Sequence, residues 1–203
     1  MEIKKLVNPE ELNQLIKNYS SPWKQLSSET IFQNPWSKVE KNVYENGCIY
    51  SRMVKNDSVH ILAITSDDQI ILEARKYRPG TNQPMLELPA GYMEPNEDAI
   101  VSATRELAEE TQIECSQLFA LVPIFWRADD SNSMARGFIG RIKNYENIVV
   151  PFNEKFDERK EYDLISFPIK ALVENLELFS AMCAPDQKFI IEAYYQWILN
   201  KKI

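Results

Sequence analysis

Three glutamates set the terms for this chain. Glu106, Glu109 and Glu110 lie in the stretch Arg105-Glu-Leu-Ala-Glu-Glu-Thr-Gln-Ile113, the later part of a helix predicted over residues 97–111. On a helix, Glu106 and Glu110 are one turn apart and Glu109 is three residues from Glu106. The three carboxylates therefore share an arc of about 100°. Like charges so close repel, and a helix gains nothing from stacking them unless a cation neutralises them. Arg105, at i,i+4 to Glu109, offsets only part of that charge. A solvated acidic face is the ordinary alternative. An all-oxygen site of this kind suits Mg²⁺, with Mn²⁺ as a substitute, and both ions also grip phosphate oxygens. Ile100, Ala103 and Leu107 give the helix its buried stripe. Asn96 is placed to cap it, with Glu97 and Asp98 at its positive end.

Around that helix the chain alternates short strands and helices. Asn8-Pro9-Glu10-Glu11 reads as an N-cap, a first-turn proline and a capping-box glutamate, with Leu12, Leu15 and Ile16 on one face. Strand patterns follow at residues 29–33, 38–44, 48–54, 59–65 and 69–75, with turn signals at Asn46-Gly47 and Asp67-Asp68. Residues 84–95 read as a loop. Strands return at 118–126, 135–142 and 162–167, and residues 168–178 read as a short helix. The segment 185–200 puts Phe189, Ile190, Ala193, Tyr194, Trp197 and Ile198 on one helical face, as a docked helix would. His60 lies in a strand with no second imidazole anywhere in the chain, so a structural role is expected for it. The order of elements predicts an α+β fold, an α/β/α sandwich.

Charge and composition narrow the partners. Lys plus Arg number 23 against 30 Asp plus Glu, a formal charge of −7. Duplex nucleic acid is bound mainly through cationic phosphate contacts, so no nucleic-acid partner is expected. The longest apolar run, residues 118–126, is far short of a membrane span, and no membrane partner is expected. The N-terminal MEIKKLVNPEELNQ has no apolar core region, so no signal peptide is expected. Cys48, Cys115 and Cys183 are odd in number and widely spaced. They suit a reducing cytoplasm.

The spacing around the glutamates carries a resemblance. Gly91-Tyr-Met-Glu-Pro-Asn-Glu97, then seven residues, then Arg105-Glu106-Leu107-Ala108-Glu109-Glu110-Thr111-Gln112-Ile113 resembles the box of the Nudix hydrolase family. One fixed position departs from it: the second glycine is Gln112. Glycine there eases a left-handed backbone, so Gln112 should cost about 1 kcal/mol or shift the helix stop while leaving the chemistry intact. Arg75-Lys-Tyr-Arg78-Pro79, followed by Glu87-Leu-Pro-Ala-Gly91, is similar to the signature of the ADP-sugar (ADP-ribose) pyrophosphatase branch. In that branch a β-rich N-terminal extension helps to build a domain-swapped homodimer. Trp23-Lys-Gln-Leu and Pro35-Trp36-Ser-Lys-Val look like parts of such an extension.

The resemblance implies an N-terminal helix and β-rich extension over 1–56, for dimerisation and base stacking, and a Nudix hydrolase domain over 57–203. It implies Mg²⁺-dependent hydrolysis of the diphosphate bond of an ADP-ribose-like nucleoside diphosphate sugar. Carried over position by position, Glu106 and Glu110 would be the principal metal ligands, assisted by the Ala90 carbonyl and Glu109. Arg105 would orient the carboxylates, and Glu97 would bridge through water or hold the start of the helix. Gly91 and Glu87 would border the substrate, Arg78 would meet phosphate or the terminal sugar, and Trp23 and Trp36 would stack on the base. Arg75 is read either as a second phosphate contact or as a surface charge. The branch's general base is a glutamate on a loop after the box; Glu158 is the first choice here and Glu161 the second. The loop Arg127-Ala-Asp-Asp-Ser131-Asn132 keeps the branch's Ser-Asn but lacks its proline and glycine. That leaves room for another nucleoside diphosphate sugar, such as a GDP-sugar. A non-catalytic ligand sensor is the alternative from another class.

Overall fold

The computed structural model describes residues 8–18, 23–35, 37–78, 80–115, 117–126, 131–142, 161–182 and 184–201. The chain divides into two units, Met1–Val54 and Lys55–Ile203.

The first unit holds α1 (Pro9–Asn18) and an antiparallel sheet of β1 (Gln25–Gln33), β2 (Lys38–Tyr44) and β3 (Ile49–Val54), in that order. Asn8 caps α1 by accepting the Glu11 N–H at 2.9 Å. Between β2 and β3, Gly47 takes φ 82° and donates its N–H to the Tyr44 carbonyl at 2.9 Å. That positive φ is what an Asn-Gly hairpin turn supplies without a Cβ clash. β1 starts four residues before the predicted strand, because Gln25 already pairs with Tyr44 of β2. Pairing overrides the poor strand propensity of Ser27 and Ser28.

The second unit is built on a seven-stranded sheet. Its spine runs β10 (Tyr162–Pro168), β5 (Gln69–Arg78), β4 (Ser58–Ile64), β9 (Met134–Arg141) and β8 (Leu118–Trp126), with β6 (Gln83–Glu87) on β5 and β7 (Ala90–Tyr92) on β4. β4 pairs parallel with β9; the other pairings are antiparallel, so the sheet is mixed. Alternate residues of β4 face opposite sides. Val59, Ile61 and Ala63 pack with Ala103 and Leu107 of α2 (Ala99–Thr111). Leu62 and Ile64 pack with Leu172 of α3 (Ile169–Val173) and with Ile190, Ile191 and Tyr194 of α5 (Pro185–Lys201). Helices cover both faces, which is why β4 is buried from end to end. The α/β/α sandwich is the observed fold. Among the described residues no helix is long and apolar enough to cross a membrane.

Five local readings of the sequence are corrected. Residues 84–95 contain β6 and β7, and Pro84 is tolerated because it falls at the register shift of the β5–β6 pair, between Gln83 and Met85, where it has no ladder partner. The cap of α2 is Asp98, whose Oδ1 accepts the Ile100 N–H at 2.9 Å; Asn96 sits at φ 64° in the preceding turn. Ile100 is exposed, and the buried stripe of α2 is Ser102, Ala103, Leu107 and Thr111. Residues 168–178 break at Asn175, which caps a second short helix, α4 (Leu176–Ser180), through the Leu178 N–H at 3.0 Å. On α5 the buried face is also rotated from the one predicted. It carries Ile190, Ile191, Tyr194 and Tyr195, while Phe189 and Trp197 are about half exposed.

Candidate active site

The acidic arc of α2 lies over the short strand β7. A Cβ at Gly91 would overlap the Glu106 carboxylate, so a residue with no side chain is what lets helix and strand approach this closely. One turn further along, Glu110 Oε2 accepts the Ala90 N–H at 2.8 Å. Glu106 and Glu110 thus bracket the Ala90–Gly91 backbone. Glu109 is on the same helix but more exposed.

Arg105 holds the open end of the arc. Its Nε and Nη2 fork onto Glu97 at 3.0 and 2.9 Å, and its Nη1 donates to Glu106 at 2.8 Å and Glu109 at 3.2 Å. Glu97 also accepts the Glu94 N–H at 2.9 Å, which ties it to the start of α2. The fork onto Arg105 holds the Glu97 carboxyl down at about 2. Arg105 is raised in turn, chiefly by Glu97, and stays charged. Burial raises Glu106, against the pull of Arg105.

Below the inner end of the arc sits a buried charge network that sequence reading missed. Arg75 is 6% exposed and reaches three carboxylates: Glu73 at 2.8 Å, Glu87 at 2.9 Å and Glu110 at 3.4 Å. Arg78 forks onto both oxygens of Glu87. The Arg75 guanidinium also lies 4.7 Å over the Tyr162 ring, whose hydroxyl donates to the Glu110 carbonyl at 3.0 Å. Arg75 is therefore neither a surface charge nor a free phosphate contact. It neutralises a buried acidic cluster. Glu73 has no exposure, and its oxygens make no aligned hydrogen bond beyond the ion pair. Burial pushes it up to about 7. Burial, then the charge of Glu73, raises Glu110 well above the carboxylate range. Three carboxylates face two guanidinium groups here, and desolvation makes the excess costly. The signal for Glu73 and Arg75 was an alternation of charge at i and i+2 in β5, which places both on the α2 face of the sheet.

The donor set fits a divalent cation. It is all oxygen, it is partly desolvated, and its negative charge exceeds the guanidinium charge beside it. Among the described residues no three carboxylates stand grouped around a point that could hold a metal ion: Arg105 draws Glu106 and Glu109, while Arg75 and the Ala90 N–H draw Glu110. Of the residues singled out in the sequence, Glu106, Glu109, Glu110, Arg105, Ala90 and Gly91 come together, and Arg78 joins them through Glu87. Glu87 is 3% exposed and reaches the site by way of the two arginines. Trp23 belongs to the first unit, where its ring lies 6.0 Å from Tyr44 and 5.9 Å from Tyr50. Trp36, Glu158 and residues 127–130 lie outside the described residues. Asn132 is described, and its Oδ1 accepts the Lys55 N–H at 3.1 Å.

Comparison with known proteins gives this geometry a family. The chain is 28% identical over 177 residues to the methanol dehydrogenase activator of Bacillus methanolicus, covering 85% of this chain and 91% of that protein. It is 31% identical over 125 residues to an ADP-sugar pyrophosphatase of Mus musculus, covering 51% of this chain and 57% of that one. It is 25% identical over 130 residues to an ADP-ribose pyrophosphatase of Bacillus subtilis, 63% and 68% of the two chains. Among solved structures, an ADP compounds hydrolase superposes with a TM-score of 0.68 at 23% identity, over 89% of this chain and 96% of the other, which supports the fold. The NUDIX domain profile matches residues 54–181, from just before β4 to the end of α4. With the glutamate helix and the glycine strand inside that span, the chain belongs to the Nudix family and is a Nudix hydrolase.

Proposed function

We propose that the chain hydrolyses the diphosphate bond of an ADP-sugar, with ADP-ribose as the reference substrate, to a nucleoside monophosphate and a sugar phosphate. The observation that carries the reading is the packing of Glu106 onto Gly91 beside the Glu110–Ala90 bond. It sets two carboxylates against the Ala90–Gly91 backbone, a set of oxygens suited to Mg²⁺ and diphosphate together. Glu106, Glu110, Glu109 and the Ala90 carbonyl would hold the cation. A bound cation would draw charge from the diphosphate oxygens and lower the pKa of the attacking water. Arg105 orients the carboxylates and is a positioning residue. Glu87, itself buried, aims Arg78 at phosphate. Glu158 is our candidate for the general base, with Glu161 behind it. Trp23 and Trp36 are our candidates for stacking on the base, in a homodimer. The free thiols of Cys48 and Cys115 suit a reducing compartment, and we place the activity in the cytoplasm.

The test is a substrate panel with Mg²⁺: ADP-ribose, other ADP-sugars, GDP-sugars and nucleoside triphosphates, with products resolved by phosphorus NMR. ADP-sugars should lead. Triphosphates ahead by about tenfold or more would overturn the substrate class, since that factor is about 1.4 kcal/mol of transition-state preference. GDP-sugars ahead would overturn only the base preference. No turnover with tight binding would favour the ligand-sensor reading. A second reading comes from the near-full-length match to a methanol dehydrogenase activator: the same hydrolysis would serve to raise the rate of an alcohol dehydrogenase. Adding the chain and Mg²⁺ to such a dehydrogenase tests it, and an unchanged rate sinks it.

A further inference from the structure

Residues 88–91 carry the backbone that borders Glu106 and Glu110, and the first two of them, Leu88 and Pro89, span the gap between the end of β6 and the start of β7. Ladder partners run out there, and each buried N–H and C=O needs a partner of its own. The Pro89 carbonyl accepts the Ile61 N–H at 2.8 Å, and the Ala90 N–H donates to Glu110. The Leu88 N–H donates at 2.9 Å to Gln187 Oε1, on the first turn of α5. Both residues are buried, Leu88 fully and Gln187 at 3% exposure.

The other end of Gln187 meets His60. Gln187 Nε2 lies 3.1 Å from His60 Nδ1. A backbone N–H can only donate, so the Gln187 atom facing Leu88 is the oxygen and the atom facing His60 is the amide nitrogen. An amide nitrogen also only donates. His60 Nδ1 is therefore an acceptor, and the ring proton sits on Nε2. Two acceptors await it there, Ser58 Oγ at 3.2 Å and Asp186 Oδ2 at 3.4 Å. One backbone N–H thus fixes the direction of the run from Leu88 through Gln187 to His60. The run closes on itself, because His60 sits opposite Ala90 in the β4–β7 register.

We infer that Gln187 is a positioning residue for the candidate metal centre: it holds residues 88–91 so that the Ala90 carbonyl faces the cation, and His60 locks its amide the right way round. The identity of the cation site rests on the hydrolase reading above. A residue that orients a metal ligand through a hydrogen bond is tuned as finely as the ligand itself.

The test reads Mn²⁺ binding by electron paramagnetic resonance and the His60 ring by nitrogen NMR, both on the full chain without substrate. His60 is the only histidine, so its signals need no assignment. The wild type should show a protonated Nε2 and a bare Nδ1. Gln187→Glu keeps the acceptor for Leu88 but gives His60 Nδ1 no donor, so a proton should appear on Nδ1, with Mn²⁺ affinity held within about threefold. Gln187→Leu is close in volume and removes the acceptor. It should weaken Mn²⁺ binding by about tenfold or more, with circular dichroism unchanged. A wild-type proton on Nδ1, a folded Gln187→Leu that binds as tightly as wild type, or a Gln187→Glu weakened about tenfold would each overturn the inference. If Gln187→Leu fails to fold, the wild-type ring and Gln187→Glu decide. A wild type that binds Mn²⁺ but cleaves no diphosphate sinks the hydrolase reading alone. One that binds no Mn²⁺ sinks both.

Discussion

At Gln112 the backbone stands at φ 58° and ψ 15°, and its N–H closes the last turn of α2 onto the Ala108 carbonyl at 2.9 Å. The departure from the family's glycine is thus accommodated in the left-handed region itself, without moving the helix stop. A non-glycine residue there carries about 1 kcal/mol of strain, partly offset by the Gln112 side-chain bond to Ala108. Gln112→Gly should raise stability by about 0.5–1 kcal/mol in a urea melt, with Mg²⁺-dependent turnover unchanged. The network under the arc behaves differently. Removing the shared cation by Arg75→Met leaves Glu73 and Glu110 with no guanidinium and Glu87 with Arg78 alone, and should cost about 3–5 kcal/mol. Glu73→Leu removes the least compensated of them and should cost less than about 1 kcal/mol or stabilise. Urea melts that put Glu73→Leu below Arg75→Met would refute this reading of Arg75 as the neutralising hub. Glu106→Gln and Glu110→Gln should each lower kcat by several orders of magnitude in a folded protein. Near-normal turnover in either would end its assignment as a ligand.

At the scale of elements, the start of α2 is held by a charge pair as well as a cap. Glu97 is at about 2 in the folded chain against an ordinary 4.5, so the fold favours its charged form. A depressed carboxyl contributes stability that is complete above the unfolded value and is lost as pH falls toward the folded one. The protection factors of amides in the first turn of α2, exchange rates taken relative to the unfolded chain at the same pH, should therefore fall between pH 4.5 and about 2, and Glu97→Gln should flatten that response. Equal pH slopes in the two proteins would remove Glu97 as the cause. The same element shows what could be read from the sequence. Spacing alone put Glu106, Glu109 and Glu110 on one arc, because helix geometry is local and the box positions are fixed. The cap was misplaced by two residues because Asn96 and Asp98 both have capping chemistry, and the choice between them depends on a turn that brings Glu97 to Arg105. β6 and β7 were missed because Pro84, Pro89 and Gly91 read as loop. Their strand character comes from partners in β4 and β5, which lie elsewhere in the sequence. Gln187 was out of reach for the same reason, since its partner lies ninety-nine residues away.

For the whole molecule, the first unit raises the question of assembly. Its sheet has only three strands, and β1 is exposed along its whole length. Leu26 is 61% exposed, Ile31 53%, Phe32 57% and Ile49 59%, too much apolar surface for so small a sheet to leave in water without cause. A sheet this size gains its stability from something it packs against. A second copy of the chain would meet that need symmetrically, and it is the arrangement that the resemblance to the pyrophosphatase branch implies. Sedimentation equilibrium should show a dimer at micromolar concentration. The double variant Leu26→Glu/Phe32→Glu puts four like charges into a two-fold contact and should yield a monomer. If Trp23 serves the partner's site, that monomer should lose ADP-sugar affinity, read as a raised KM, while still binding Mn²⁺ through Glu106 and Glu110. A wild-type monomer would dismiss the assembly and the shared site together. A dimer that survives the double variant would move the contact off β1. A monomeric variant with unchanged KM would keep the dimer but confine the base-binding surface to a single chain.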